Sequence, residues 1–144
     1  MDAPGTDISP DEYVLRRILK NPSHYDPSLP VPVQKAAVRP SQRDVNGLSV
    51  YREQYYLGNP AGVLAHVEEG KRNNYHIGRI RVSDLNRLGL TVRPAEGPEH
   101  LPGHCEIPEL NHEDYEKDKR KFADVILEVA KLLGENIVYS PPPG

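Results

Sequence analysis

His104 and Glu106 are the residues of this sequence whose types and spacing best suit acid–base chemistry. Side chains two positions apart in a strand lie on the same face, so the carboxylate could orient or charge the imidazole. An imidazole titrates near neutral pH, which suits it to proton transfer. The sequence therefore gives this pair as catalytic candidates, although a surface His–Glu pair without a catalytic role is the commoner outcome of such a spacing.

Several potential metal ligands lie in the segment around this pair. They are His100, His104, Cys105, Glu106 and His112. Histidines four positions apart share one face of a helix and could bind zinc with a third ligand. Here Leu-Pro-Gly separates the first two histidines, so a helix is not available to them. The sequence therefore predicts exposed loop histidines and neither a metal nor a cofactor, and it leaves metal binding by the three histidines open.

The stretch QRDVNGLSVYRE, residues 42–53, has spacings close to those of an EF-type calcium loop. The matching positions are Asp44, Asn46, Gly47 and Glu53. The first ligand position is Gln42 and the ninth is Val50, which has no side-chain oxygen. The sequence therefore predicts a turn in which Asp44 bonds the backbone and Asn-Gly supplies a positive φ, followed by a strand.

Arginine outnumbers lysine in the chain, by 11 to 7. Planar guanidinium groups match phosphate and carboxylate groups through paired hydrogen bonds. We therefore take Arg39, Asp44 and Arg52 as candidate ligand-binding residues, with a phosphate-bearing ligand as the expected class. The alternative is a solvated surface on which the arginines pair with some of the 21 acidic residues.

The composition is that of a well-hydrated globular domain. The chain has 144 residues, of which 37% are hydrophobic and 27% are charged, and its mean hydropathy is −0.65. A chain of this length forms one domain with a core of its own. Its 15 prolines predict irregular, proline-rich loops. The formal net charge of −3 argues against nucleic acid as a partner.

The number of cysteines and the lengths of the apolar runs indicate in which cellular compartment the protein is expected. The single cysteine, Cys105, excludes an intramolecular disulfide and favours a reducing setting. No apolar run approaches the roughly 20 residues of a membrane span. The first residues also lack the basic start and apolar core of a secretion signal. The sequence therefore predicts a cytoplasmic protein that does not enter a membrane.

The two main predicted helices lie near the ends of the chain, and shorter ones are predicted after Asn59-Pro60 and after Ser83. Residues 9–12, Ser-Pro-Asp-Glu, have the pattern of a capping box with proline at the first helical position, and Asn21-Pro22 would end that helix. The second helix begins at Asn111, carries an apolar stripe from Tyr115 to Leu133 and ends at Gly134.

Short strands are predicted between these helices. In residues 74–82 the apolar phase changes at Gly78, where a β-bulge would keep both halves facing one core. The other predicted strands cover residues 35–39, 48–52, 90–93 and 105–110.

The predicted fold is α+β, with a small mixed or antiparallel sheet packed by the N-terminal helix and the long C-terminal helix. It forms a single domain over residues 9–139, between a flexible N-terminus (1–8) and a disordered tail (140–144).

Two classes of function are compatible with these patterns. The favoured one is a small interaction or accessory protein without catalytic activity, because the chain has no nucleotide-binding, nucleophile-elbow or Cys-x-x-Cys motif. A protein partner or a second copy would contact Tyr115 and Phe122, since so long a helix would overhang a sheet of short strands. The alternative is a small enzyme that acts on a phosphate-containing or nucleic-acid substrate through His104, Glu106 and arginines.

Overall fold

The computed structural model describes residues 8–142, which form an antiparallel six-stranded sheet with helices packed on it. The strands are β1 (Tyr13–Leu19), β2 (Leu48–Arg52), β3 (Tyr75–Arg81), β4 (Arg93–Pro94), β5 (His104–Ile107) and β6 (Ile137–Tyr139). The helices are α1 (Val82–Arg87), α2 (His112–Lys117) and α3 (Lys119–Gly134). The strand order is β4-β5-β2-β1-β3-β6. The predictions of an α+β fold, an antiparallel sheet and a C-terminal helix are confirmed.

The predicted N-terminal helix is wrong, because its residues form β1. The capping signals are used locally instead: Glu12 Oε2 accepts a hydrogen bond from the Ser9 amide at 2.9 Å, and Ser9 Oγ accepts one from the Asp11 amide at 3.2 Å. These bonds close a turn, after which β1 pairs with β3 along its whole length. A cap stabilises a helix by only about 1 kcal/mol, so pairing in the middle of a sheet outweighs it.

The change of apolar phase at Gly78 reflects a sheet that carries a core on each face. The pairing of β3 with β1 is continuous through this glycine, and the register shifts only on the β6 side, between Ile77 and Gly78. Ile77 therefore packs on one face with Leu15, while Ile80 packs on the other face with Ile18. The predicted irregularity is present, but it does not bring both halves of the strand to one core.

Different segments cover the two faces. Helix α3 covers the face that carries Ile80, and the 3₁₀ turn Pro60–Leu64 contributes to the core on the opposite face. Helix α3 passes close to β3 at Gly78, where a Cβ atom would lie 3.1 Å from the carbonyl oxygen of Leu133. A side chain at this position would crowd the helix, so the glycine allows the close approach.

The predicted C-terminal helix is present but is divided at Asp118 into α2 and α3. Asn111 caps α2 as predicted, and its side chain accepts a hydrogen bond from the Asp114 amide. Asp118 leaves the helical conformation, and its carboxylate accepts a hydrogen bond from the Lys121 amide. It therefore caps α3, which has 16 residues and ends at Gly134.

The predicted strands agree in part with the observed ones. Those at 48–52 and 74–82 are confirmed as β2 and β3, while those at 90–93 and 105–110 are reduced to β4 and β5. Residues 35–39 do not form a strand but contain the 3₁₀ turn Lys35–Ala37. Backbone hydrogen bonds within the segment close this turn, since the Val38 amide donates to the Lys35 carbonyl at 2.9 Å, and Arg16 Nη2 donates to the Ala37 carbonyl at 3.0 Å.

The segments predicted to be flexible lie partly outside the described residues, namely at 1–7 and 143–144. Within the described part, Ile8 packs against the core beneath α3. At the other end, Ser140 Oγ lies 3.0 Å from His76 Nδ1, and Pro141 is buried.

A buried ion pair joins the beginning of β1 to the end of β2. Arg52 is 2% exposed, and its Nε and Nη2 atoms each donate to a carboxylate oxygen of Glu12 at 2.7 Å. Two parallel charge-assisted bonds fix the relative position of the two strands. Cys105 is buried nearby, and burial raises the pKa of its thiol to about 12, so it is protonated at neutral pH.

We expect Glu12→Gln to lower the free energy of unfolding by about 3 kcal/mol, because it removes the carboxylate from a buried guanidinium. Urea unfolding followed by circular dichroism measures this change. The control is Glu68→Gln, in which an exposed pair with Lys71 is lost and the change should stay within about 0.5 kcal/mol. Equal effects of the two substitutions would show that the ion pair does not fasten the strands.

Candidate functional site

A cleft opens where β1 and β2 diverge. The two strands pair only at Val14↔Arg52 and Leu15↔Tyr51. Beyond this point Arg16 Nη1 donates to the Ser49 carbonyl at 2.9 Å, so a side chain takes the place of the missing backbone ladder. The space between the separated strands is therefore bordered by both of them.

The cleft has a volume of about 380 Å³. Its walls come from β1, β2, the first residue of β3 and the segment that leads from the 3₁₀ turn Lys35–Ala37 to the turn before β2. The polar and charged residues of the lining are Arg16, Arg17, His24, Arg39, Ser41, Arg43, Asp44, Ser49 and Tyr75. Four arginines thus face one carboxylate.

Two of the cleft arginines, Arg16 and Arg17, are held by carbonyl groups rather than by acids. Arg16 donates to the carbonyls of Ala37 and Ser49, and Arg17 Nε donates to the Val63 carbonyl at 2.8 Å. Among residues 8–142, none of the four cleft arginines forms an ion pair with a carboxylate. The positive charge of the cleft is therefore positioned by the fold without being neutralised by it.

Asp44, the acid of the cleft, is engaged by its own turn. Its Oδ2 atom accepts hydrogen bonds from the Ser41 amide at 2.6 Å and from Ser41 Oγ at 3.1 Å. This is the backbone-bonding role predicted from the sequence, and Gly47 has the predicted positive φ, at 139°. Both hydrogen bonds direct the carboxylate oxygen to Ser41.

Burial acts on the charges of the cleft. It lowers the pKa of Arg16, and the positive charge of Arg17 lowers it further, while Asp44 opposes the change. Burial also lowers the pKa of His24, helped by the charges of Arg16 and Arg39. The lowered pKa values of Arg16 and His24 both mean that positive charge is unfavourable in the cleft. A bound anion would make that charge more favourable.

A serine–histidine hydrogen bond lies at the β2 wall of the cleft. His104 is 3% exposed, and its Nδ1 atom lies 2.8 Å from the Ala95 carbonyl oxygen. A carbonyl can only accept, so Nδ1 carries the proton and Nε2 of the neutral ring is an acceptor. Ser49 Oγ lies 3.1 Å from Nε2 and therefore donates its proton to it.

The environment of His104 keeps its ring neutral. Burial lowers the pKa of His104, which outweighs the opposing effects of the Ala95 carbonyl and of the Glu106 charge. The ring of His100 stacks on it with centroids 4.1 Å apart, and Tyr51 contacts it at 5.4 Å. A neutral imidazole with Nε2 free of a proton can act as a general base.

The structure brings together only some of the residues that the sequence singled out. Arg39 and Asp44 line the cleft, and His104 reaches it through Ser49. Glu106 shares the face of His104 but lies closest to Arg93, with 3.7 Å between Oε1 and Nη2. The group that orients the imidazole is therefore a backbone carbonyl and not the predicted carboxylate.

The sequence analysis assigned Arg52 to the ligand-binding residues and did not select Ser49. Arg52 does not line the cleft, since its guanidinium is buried against Glu12. Ser49 does line it, and the sequence carried one signal for this residue. It is the polar residue between two buried positions, Leu48 and Val50, of a predicted strand.

The residues considered for metals are dispersed. Glu53 of the calcium-like stretch pairs with Arg79 at 3.2 Å, while Asp44 bonds Ser41. Both ring nitrogens of His104 are already engaged. Within residues 8–142, no three or more His, Cys, Asp or Glu side chains are grouped so that they could hold a metal ion.

The residues considered for a partner lie at the junction of α2 and α3. Tyr115 is 8% exposed and belongs to the core, while Phe122 is half-buried with its ring 6.3 Å from that of Tyr115. A groove of about 270 Å³ lies beside them and is lined by Lys35, Arg39, Tyr115, Lys119, Arg120, Ala123 and Ile126. Of the two aromatic residues, Phe122 is the more accessible to a partner.

Comparison of the chain with protein-family models, curated proteins and solved structures found no match. Over residues 8–142, none of the helices combines the length and the apolar character needed to cross a membrane. The function is therefore inferred from the chemistry of the cleft.

The buried histidines predict a loss of stability on acidification. Burial lowers the pKa values of His104, His76 and His24 below the 6.5 of an ordinary imidazole, so the unfolded chain binds more protons than the native protein near that pH. Stability is therefore present above about pH 6.5 and decreases as the pH falls towards the native pKa values. Urea unfolding at about pH 7.5 and pH 5.5 measures this slope.

His104→Gln should reduce that slope without abolishing it, because the buried His76 and the half-buried His24 remain. The groups that face His104 are the Ala95 carbonyl, Ser49, His100, Glu106, Arg17 and Tyr51. The control is His66→Gln, which removes one exposed imidazole and should leave the pH dependence of stability unchanged. An unchanged slope in His104→Gln would contradict the assignment of a buried neutral ring.

Proposed function

We propose that this protein binds a small ligand carrying a phosphate group in the cleft between β1 and β2. The observation that carries the proposal is the set of four arginines that line the cleft without a carboxylate partner among residues 8–142. Arg16 and Arg17 are half-buried, while Arg39 and Arg43 are exposed at the rim of the cleft. Partly buried charges are normally paired, since removing a charge from water is costly. A ligand anion is the natural counterpart of these guanidinium groups.

The number and geometry of the cations favour phosphate over a single carboxylate. A phosphate ester carries up to two negative charges and three strong acceptor oxygens, which several guanidinium forks can share. The volume of about 380 Å³ lies in the range of small-molecule sites and exceeds the needs of a bare ion. We therefore propose a phosphorylated small molecule as the ligand class.

Inorganic phosphate should raise the melting temperature and bind measurably by calorimetry, because a ligand that binds only the native state stabilises it. Arg39→Gln should weaken this binding about tenfold or more, since hydrogen bonds to charged groups contribute roughly 1.5–3 kcal/mol. The control is Arg87→Gln, which removes an exposed arginine that pairs with Asp84 on α1. Equal affinities of the two variants, or no binding by the wild type, would refute the proposal.

A second candidate is the non-catalytic interaction protein suggested by the sequence. It is supported by the groove beside Phe122, which combines an apolar floor with Lys35, Lys119 and Arg120. An acidic segment of a partner would satisfy such a surface, because opposite charges at the rim steer association. Arg39 lines both the groove and the cleft, but only this candidate depends on Phe122.

Phe122→Asp should disrupt association with a partner or second copy more than it disrupts folding, because the aromatic ring is only half-buried. Size-exclusion chromatography with light scattering measures association, and circular dichroism measures folding. Leu57→Asp is the control, since Leu57 is an apolar residue that is 75% exposed and does not belong to α2 or α3, which border this groove. A strictly monomeric wild type, or a Phe122→Asp variant that does not fold, would remove the support for this candidate.

A further inference from the structure

The Ser49–His104 hydrogen bond has the components of an activated nucleophile. Ser49 Oγ lies 3.1 Å from Nε2 of the imidazole, and Nδ1 lies 2.8 Å from the Ala95 carbonyl that orients the ring. A hydroxyl, a base within hydrogen-bond reach and a third group that orients the base are the parts of a nucleophilic site. Binding an anion requires only the arginines and does not explain this arrangement.

We infer that Ser49 is a nucleophile and His104 its general base, and that together they hydrolyse a phosphoric ester held by the arginines of the cleft. This inference rests on the proposed function, because it takes the bound phosphate as the electrophile. It assigns an activity to the site and gives the phosphate-bearing ligand the role of substrate.

The position of Ser49 supports this assignment. Ser49 lines the cleft and is half-buried, so its hydroxyl combines access with partial shielding from water. Its own carbonyl accepts a hydrogen bond from Arg16 Nη1 at 2.9 Å, which fixes a guanidinium beside the proposed nucleophile. A phosphate seated among the arginines therefore lies against Ser49, and the guanidinium groups can stabilise the charge of its oxygens in the transition state.

Ser41 provides a contrast within the same cleft. Its hydroxyl donates to the Asp44 carboxylate at 3.1 Å, and no hydrogen bond to an imidazole is found for it among the described residues. Both serines line the cleft, but only Ser49 has a ring nitrogen as its proton acceptor. Ser41 is therefore a serine of the same cleft without an activating base, and we expect it to remain unlabelled.

The reaction balances in two steps with water as the second substrate. In the first, the Ser49 Oγ–P bond forms, its proton passes to His104 Nε2, and the P–O bond to the leaving alcohol breaks. The leaving oxygen, which lies in line on the opposite side of phosphorus, takes the electron pair of that bond and a proton from solvent. In the second, a water oxygen bonds to phosphorus from that opposite side and releases a proton to solvent. The Oγ–P bond breaks, and Ser49 Oγ regains the electron pair and takes the proton back from His104 Nε2 as phosphate is released.

Diisopropyl fluorophosphate tests the nucleophile directly, because an activated serine forms an Oγ–P bond with it as fluoride leaves. We expect one adduct in the intact mass of the wild type, located at Ser49 by peptide mapping. Ser49→Ala should lose the adduct, and the control Ser28→Ala, which removes an exposed hydroxyl that lies outside the cleft and donates to Asp26, should retain it. His104→Gln should slow labelling about 100-fold or more, as expected for loss of a general base. Hydrolysis of p-nitrophenyl phosphate should follow the same order.

Phosphate binding to Ser49→Ala, measured by calorimetry, separates this inference from the proposed function. Retained binding together with labelling of wild-type Ser49, slowed by inorganic phosphate, supports both. Phosphate binding without labelling of the wild type overturns the nucleophile and leaves the binding function standing. If Ser49 is labelled but phosphate neither binds nor slows the labelling, the proposed phosphate site is refuted. Labelling at Ser41 or at a tyrosine would refute the assignment of Ser49 as the nucleophile. The labelled residue is mapped in the wild type, so this test remains decisive even if a variant fails to fold.

Discussion

The central position of β1 is the constraint on which the rest of the structure depends. This strand pairs with β3 over its full length but with β2 over only two positions. The Glu12–Arg52 ion pair fastens β1 to β2 at one end, and beyond Leu15 the two strands separate. One strand thereby unites the two halves of the sheet and opens the cleft between them.

The separation of β1 and β2 leaves carbonyl groups that need donors, and Arg16 supplies them. Its guanidinium bonds the carbonyls of Ser49 and Ala37, which belong to the two sides of the cleft. Hydrogen bonds to carbonyl groups leave the charge of an arginine in place. The Arg16 side chain therefore bridges the two sides of the cleft and also gives the cleft positive charge. Fold and electrostatics are therefore coupled through one side chain.

The local charge of the cleft differs from the charge of the whole chain. The chain has a formal net charge of −3, yet the cleft lining holds four arginines and one aspartate. The acidic residues are used elsewhere, with Glu12 on Arg52, Glu53 on Arg79 and exposed acids on neighbouring lysines. Net charge governs solubility and long-range steering, whereas a ligand responds to the groups within a few ångströms of it.

Features with a local cause followed from the sequence alone. The strands at 48–52 and 74–82, the cap at Asn111 and the turn at Asn46-Gly47 each depend on residues a few positions apart. Arg39 and Asp44 were also identified from residue type, although nothing in the sequence placed them in one cleft. The alternation of apolar and polar residues, helix caps and turn residues act on the nearest backbone groups. They can therefore be recognised in the sequence without knowledge of the fold.

Features that depend on distant residues were decided by the tertiary structure. The capping box at Ser9 and Glu12 predicts a helix, but the residues after it become a central strand because β3 and β2 offer partners on both sides. Ser49 and His104 are 55 positions apart and meet only because β2 pairs with β5. Local propensity amounts to about 1 kcal/mol per signal, whereas pairing and burial act along a whole strand, so the distant contacts determine both the fold of the N-terminal segment and the site.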